Sequence, residues 1–499
     1  MNRLVLVCAF LLCACSHAPV VSDFSEAPWD PMKGSVIPLE RAIEGSKETV
    51  VVLIHGVGDQ CPGYALEKGG WLNNDTAQKF GIRSVSITAP VSIPDSQFLD
   101  KRDDPNSSVS YRVAEFIYTP SSGATPRKIK AIEITWSALT QWVKSQQLGY
   151  DIPKIKPPAA DGSQNCYYQL PPSHPDHPPT DFPYSRPPPT RVTLNRLVKE
   201  QVFDRSLADA ILYVGDYGVA IQRGVAQALC MAMGGTRHVD EAGGHVDSAI
   251  CKWPETDSIE DSQKFIFVTH SLGGRVLYDT LLGLTGDRVN PHHSTFSDQG
   301  RYSEVRRSRN YVCRMIAHTA GIYMMANQLT LLGLAYDDAK HISSDGPQPY
   351  DVQHTTPTRG CGYYEEPEPE LLKPDAAFVD QRPDPEPHDT SPAVELFGEV
   401  WSRARKIEGL SIGATLPIVA FSDTNDVLTW GVPRWYQQTT INGHAVPIHV
   451  ANVYVKNATH WLGVAEDPSQ AHVGYFHRDE VWAVITCGAS NGHVGTCAR

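Results

Sequence analysis

The chain has 499 residues and a formal net charge of −13, with 41% hydrophobic and 20% charged residues. That length accommodates one large domain or two ordinary ones with a sizeable core, and the composition excludes a largely disordered chain. An acidic balance without a basic face argues against nucleic acid as a partner and gives no help in docking on anionic lipid.

At the N-terminus, Arg3 precedes an apolar run over residues 4–12. The run is too short to span a bilayer as a helix and has the length of a signal-peptide core. Leu12-Cys13-Ala14-Cys15 resembles the cleavage site of bacterial lipoproteins, with an aliphatic residue three before the cysteine and a small one just before it. The resemblance implies a signal peptide over residues 1–14 and acylation of Cys15. With Ser16 rather than Asp next in the chain, it also implies the outer membrane of a Gram-negative cell. Several acyl chains on one residue make a stable anchor. Residues 15–46 mix Pro, Ser and charge without a sustained period and read as a membrane-proximal linker, which leaves 47–499 as the domain.

Residues 49–54 (Thr-Val-Val-Val-Leu-Ile) form a β-branched run with no charge, as expected of a strand buried on both faces of a parallel sheet. Further strands are expected at 83–88, 128–135, 264–269, 311–318, 416–421 and 448–455. Helices are expected at 193–198, along 207–233, at 272–284, at 323–329 and at 480–486. Strands alternating with helices predict βαβ units and a mostly parallel sheet, an α/β fold class. Residues 151–191 and 343–392 are crowded with proline, which breaks helices and cannot donate to a ladder. Both read as long insertions, one of them a candidate lid.

Eleven cysteines are present. Cys8, Cys13 and Cys15 belong to the signal segment. The other eight form an even set, which in an exported chain points to disulfides. Cys487 with Cys497, and Cys230 with Cys251, are the pairs favoured by chain distance. The absence of a C-x-x-C pair argues against a zinc ribbon or a thioredoxin-like site. His174, His177, His238 and His245 lie in polar, loop-like sequence and read as solvated residues rather than metal ligands. Trp71, Trp136 and Trp142 read as core.

The densest chemical signal is residues 265–274, Phe-Ile-Phe-Val-Thr-His-Ser-Leu-Gly-Gly. An apolar strand ends at a serine and a helix begins directly after it. A sharp turn of that kind lifts a hydroxyl above the sheet and aims the amides of a helix N-terminus at the same point. The segment resembles the nucleophile elbow of the α/β hydrolases, G-x-S-x-G, with Thr269 in place of the first glycine. The resemblance implies an α/β-hydrolase fold, a mostly parallel central sheet flanked by helices, with Ser271 as nucleophile. It further implies that His55-Gly56-Val57-Gly58-Asp59, after the first strong strand, supplies an oxyanion-hole amide at Val57, paired with that of Leu272. His55 then braces the loop, and Asp59 caps it or lines the pocket, the cap being the favoured reading.

The acid is expected after the strand at 416–421, where Asp423 and Asp426 both stand; Asp426, before Val427-Leu428, fits the family's position and leaves Asp423 as a turn residue. The base follows one strand later, at His460 or His472. His472 stands just before Asp479-Glu480 and an aliphatic run that reads as the final helix, with Gly474 free to turn the chain. His460, followed by Trp461-Leu462, reads as a pocket-wall residue. Serine, then aspartate, then histidine is the order of the α/β hydrolases. The implied reaction is acyl transfer to water from a carboxylic ester, lipid esters included, with no metal or other cofactor. An amidase or peptidase, or a retired hydrolase fold used as a surface scaffold, are the alternatives.

Overall fold

Among the described residues six strands pair in parallel, and the neighbours of each are contributed from far along the sequence. In chain order the main-sheet strands are β1 (Val20–Asp23), β2 (Glu48–Ile54), β3 (Ile82–Ile87), β4 (Val91–Pro94), β5 (Ser108–Tyr118), β6 (Arg127–Thr135), β7 (Lys264–His270), β8 (Thr319–Met325) and β9 (Leu416–Asp423). A small hairpin, β10 (Thr440–Ile441) and β11 (His444–Ala445), precedes β12 (Ile448–Val455), the last strand of the main sheet. A second hairpin, β13 (Ala489–Ser490) and β14 (His493–Val494), follows. The sheet order is β1-β12-β9-β8-β7-β2-β6-β5-β3, with β4 on β5. From β12 to β6 every pairing is parallel; β1, β3, β4 and β5 join antiparallel. The computed structural model describes residues 20–23, 35–94, 108–148, 199, 203, 206–215, 217–236, 251–285, 302–333, 361, 393–411, 415–432, 440–441, 444–445, 448–457, 468–490 and 493–495.

The parallel strands are apolar on both faces because both are covered. Alternate side chains of one strand enter two separate cores. Val50, Val52 and Ile54 of β2 and Phe265 and Phe267 of β7 pack in the first. Val51 and Leu53, with Ile266 and Val268, pack in the second. The helices are α1 (Leu39–Ala42), α2 (Asp75–Lys79), α3 (Ala138–Leu148), α4 (Ala208–Val214), α5 (Tyr217–Ala232), α6 (Gly273–Thr285), α7 (Tyr302–Ala317), α8 (Leu329–Gly333), α9 (Ala393–Ile407), α10 (Pro468–Val473) and α11 (Asp479–Cys487). Residues of α5, α6, α7 and α9 build the first core, and residues of α1, α2 and α11 the second. Among the described residues no helix is long and apolar enough to cross a membrane.

Several expectations need correction. Residues 311–318 are helical, not a strand: Tyr311, Val312, Met315 and Ile316 recur at helical spacing and are buried in α7. The strand is the next segment, β8, which takes the first three residues of the helix expected at 323–329. Its parallel pairing with both β7 and β9 outweighs the weak strand propensity of Ala, Gly and Met. The helix expected along 207–233 is two helices, α4 and α5, parted at Gly215. Residues 15–46 are not all linker. β1 pairs with the outer edge of β12, Val36 and Ala489 exchange two backbone hydrogen bonds of 2.9 Å, and Leu39 and Ile43 are buried in the second core. β5, the longest strand, was not expected.

Cys230 and Cys251 form the disulfide that chain distance suggested, and Cys313 pairs with Cys361. Cys61 and Cys487 are disulfide-bonded as well. Cys497, Cys15, the signal segment, the helix at 193–198, the insertion at 151–191, His174, His177, His238, His245 and His460 lie outside the described residues, as does the insertion at 343–392 apart from Cys361.

Candidate active site

The C-terminal ends of four parallel strands converge on one place, the edge at which open α/β sheets carry their sites. β7 ends at His270, and Ser271 follows with φ 54°, in the left-handed region that costs a non-glycine residue on the order of 1–3 kcal/mol. The turn is held there by the Ser271 amide, which donates to the Met325 carbonyl at 2.8 Å. Two glycines make the close approach possible. A Cβ on Gly273 would lie 2.5 Å from the carbonyl oxygens of Ile54 and His55, and one on Gly56 would collide with the Ser271 Cβ and lie 2.6 Å from the His270 carbonyl. The elbow and the loop after β2 are therefore packed backbone to backbone.

Asp426 lies three residues past β9, and its Oδ1 accepts the Leu428 amide at 3.0 Å. His472 sits in the last turn of α10, a short helix. Its Nε2 is 3.1 Å from Ser271 Oγ, and its Nδ1 is 2.8 Å from Asp426 Oδ2 and 3.0 Å from Oδ1. All three side chains are buried. Gly474 does not turn the chain through positive φ; a Cβ there would lie 3.0 Å from the Asn457 Cβ. Asp423 plays the local part expected of it: Oδ1 accepts the Asn425 amide at 2.8 Å, and Oδ2 accepts the Asn457 amide.

Two further residues join the site that sequence reasoning did not assign. The Tyr475 hydroxyl accepts from the Asp423 amide at 2.8 Å and donates to Asp426 Oδ2 at 3.3 Å, so it holds the acid against the strand end. Burial and the two carboxylates raise its pKa well above the ordinary value, which keeps it a neutral donor. Its position three residues after His472, one helical turn on, was the available signal. His270 Nε2 donates to the His472 carbonyl at 2.7 Å, tying the elbow to the base's own backbone. Burial, aided by the neighbouring His472, pushes His270 down to about 3, so the ring is neutral.

His55 braces the loop as expected. Its Nδ1 donates to the Gly56 carbonyl at 2.7 Å, its Nε2 accepts the Trp136 amide at 3.0 Å, and its ring stacks on Trp136 at 4.7 Å. Burial pushes its pKa down to about 3 as well, consistent with a ring that donates on one side and accepts on the other. Trp136 and Trp71 are packing residues; Trp71 stacks on Phe476 at 4.1 Å. Asp59 reaches out of the loop: its Oδ1 receives Gln141 Nε2 at 3.1 Å and Lys144 Nζ at 3.4 Å. Val57 and Leu272, whose amides were expected to form the oxyanion hole, are buried on either side of the close approach between Gly56 and Ser271. Among the described residues neither amide has a hydrogen-bond acceptor of its own. The arrangement is one hydroxyl on a base and the base on an acid. No protein family, curated protein or solved structure matches the chain.

Proposed function

We propose that the protein is a serine hydrolase on an α/β-hydrolase fold that cleaves carboxylic esters through an acyl-enzyme on Ser271. The observation that carries this reading is the continuous relay Ser271–His472–Asp426, set on a strained strand-to-helix turn. His472 Nε2 takes the Ser271 proton as Oγ attacks the ester carbonyl, and the Val57 and Leu272 amides receive the oxyanion. The alcohol leaves with the proton from His472. Water, deprotonated by the same ring, then releases the acid and restores the serine. Asp426 holds Nδ1 as the donor tautomer and stabilises the imidazolium. An apolar, lipid-like ester fits the surroundings best. Val427 and Val473, each directly after a triad member, are 67% and 53% exposed, and Trp430 nearby is 38% exposed.

With p-nitrophenyl esters of graded chain length, Ser271→Ala is expected to lower turnover by about 10⁴-fold or more with the melting temperature retained. A folded variant keeping more than a few per cent of activity removes the nucleophile, and hydrolysis of anilides in preference to esters replaces the esterase by an amidase. The anchor is proposed on residues 12–15 alone: acylated Cys15 holds the chain on the outer membrane. Cys15→Ser is expected to give unprocessed precursor or soluble protein, and unchanged membrane fractionation of a correctly cleaved variant contradicts lipidation.

A further inference from the structure

We infer that the buried cluster Asp209–Lys144–Asp59 is a positioning device for the oxyanion loop, acting through the Gly58 amide; this rests on the reading of Ser271 as nucleophile. Lys144 reaches inward from α3 and Asp209 from α4, and both side chains are fully buried with Nζ 2.9 Å from Asp209 Oδ1. The other carboxylate oxygen, Oδ2, accepts the Gly58 amide at 2.7 Å across a separation of 151 residues. Lys144 also reaches Asp59, which Gln141 holds from the same helix. A buried ion pair loses about as much in desolvation as it gains in attraction, so stability alone gives little reason for one here.

The geometry supplies the reason. Val57 lies between two peptide planes. The plane before it carries the Gly56 carbonyl and the Val57 N–H, and His55 Nδ1 donates to that carbonyl. The plane after it carries the Gly58 N–H, which Asp209 accepts. With both planes clamped, the Val57 N–H has no freedom to turn from the oxyanion. The bond to the Gly56 carbonyl also polarises that amide toward donation. The Asp209 arm of the clamp comes from outside the loop, from helices packed in the first core, so it holds before substrate arrives. Preorganisation of this kind acts on the transition state rather than on the bound ester.

The test measures kcat and KM for p-nitrophenyl butyrate on full-length protein, with melting temperature as the check on folding. The double variant Asp209→Leu/Lys144→Met removes the clamp and both buried charges together. It is expected to lose on the order of 10²-fold in kcat with KM within about threefold of wild type. Asp209→Asn, which keeps an oxygen for the Gly58 amide, is expected to recover most of that loss. A folded double variant with wild-type kcat overturns the inference, as does an Asp209→Asn variant as slow as the double. If the double variant does not fold, Asp209→Glu takes its place, since it keeps the charge and displaces the oxygen: lowered kcat supports the clamp and unchanged kcat overturns it. Ser271→Ala run alongside separates the two readings. Turnover that survives it removes the nucleophile and this inference with it, whereas turnover that it abolishes while the clamp variants stay fast removes the inference alone.

Discussion

The two halves of the sheet are built on different terms. From β6 to β12 the strands are parallel and covered on both faces, and the ends of four of them form the site. From β5 to β3 they are antiparallel. β5 alternates between buried and exposed positions, and β3 exposes four of its six residues. A parallel strand covered on both sides takes few polar side chains, and those with partners, as Glu133 of β6 has in the Ala65 and Leu66 amides, so strands such as β2 and β7 announce themselves as apolar runs. An antiparallel edge needs only one apolar face, and Ser-Val-Ser-Tyr-Arg-Val-Ala-Glu-Phe-Ile-Tyr carries its signal at every second residue among charges. β2, β7, β9 and β12, easy to see in the sequence, belong to the half that holds the candidate chemistry, although its β8 did not show as a strand.

Core substitutions should expose that difference first. Phe267→Ala, in the middle of β7 with its side chain fully buried in the first core, is expected to cost about 3–5 kcal/mol in urea unfolding. Val85→Thr on β3, where the side chain is 58% exposed, should stay within about 0.5 kcal/mol. Equal costs at the two sites would erase the distinction between the halves.

A change of pH should then act with opposite sign on buried groups within the parallel half. His55 and His270, at the ends of β2 and β7, are pushed down to about 3 by burial. Unfolding returns them to about 6.5, so the stability they contribute is present above that pH and is lost as pH falls toward 3. Glu133, on β6 where the halves meet, has the reverse shift. Burial raises it to about 7, outweighing the amides of Gly63, Ala65 and Leu66 and the charge of Arg112, which favour the carboxylate. Its contribution is present below its unfolded value of 4.5 and is lost as pH rises through about 7. Each group is worth up to about 1.4 kcal/mol per pH unit within its window. His270→Asn should flatten the acid limb of a stability–pH curve, and Glu133→Gln the limb between 4.5 and 7. A His270→Asn variant with an unaltered acid limb would show that this ring is charged in the folded protein.

What the sequence determined alone was local: the apolar runs of β2, β7, β9 and β12, and the strand–serine–helix junction with its glycines. A buried strand and the turn that leaves it are specified by neighbours in the chain, through side-chain apolarity and the absence of Cβ atoms at the crossing. Asp426 and His472 were legible from their order after particular strands, but only the parallel order β7-β8-β9-β12 brings residues 155 and 201 positions from Ser271 within reach of one another. Tertiary structure alone decided that residues 311–318 coil while the next segment becomes a central strand, because the helix buries a face at helical spacing and the strand is claimed by partners on both sides. It alone sent Val20–Asp23 to the sheet edge, where the outer backbone of β12 needs hydrogen-bond partners. It alone drew Lys144 and Asp209 together under Gly58, since a buried charge must find its counter-charge in space and nothing in the chain between them marks the pair.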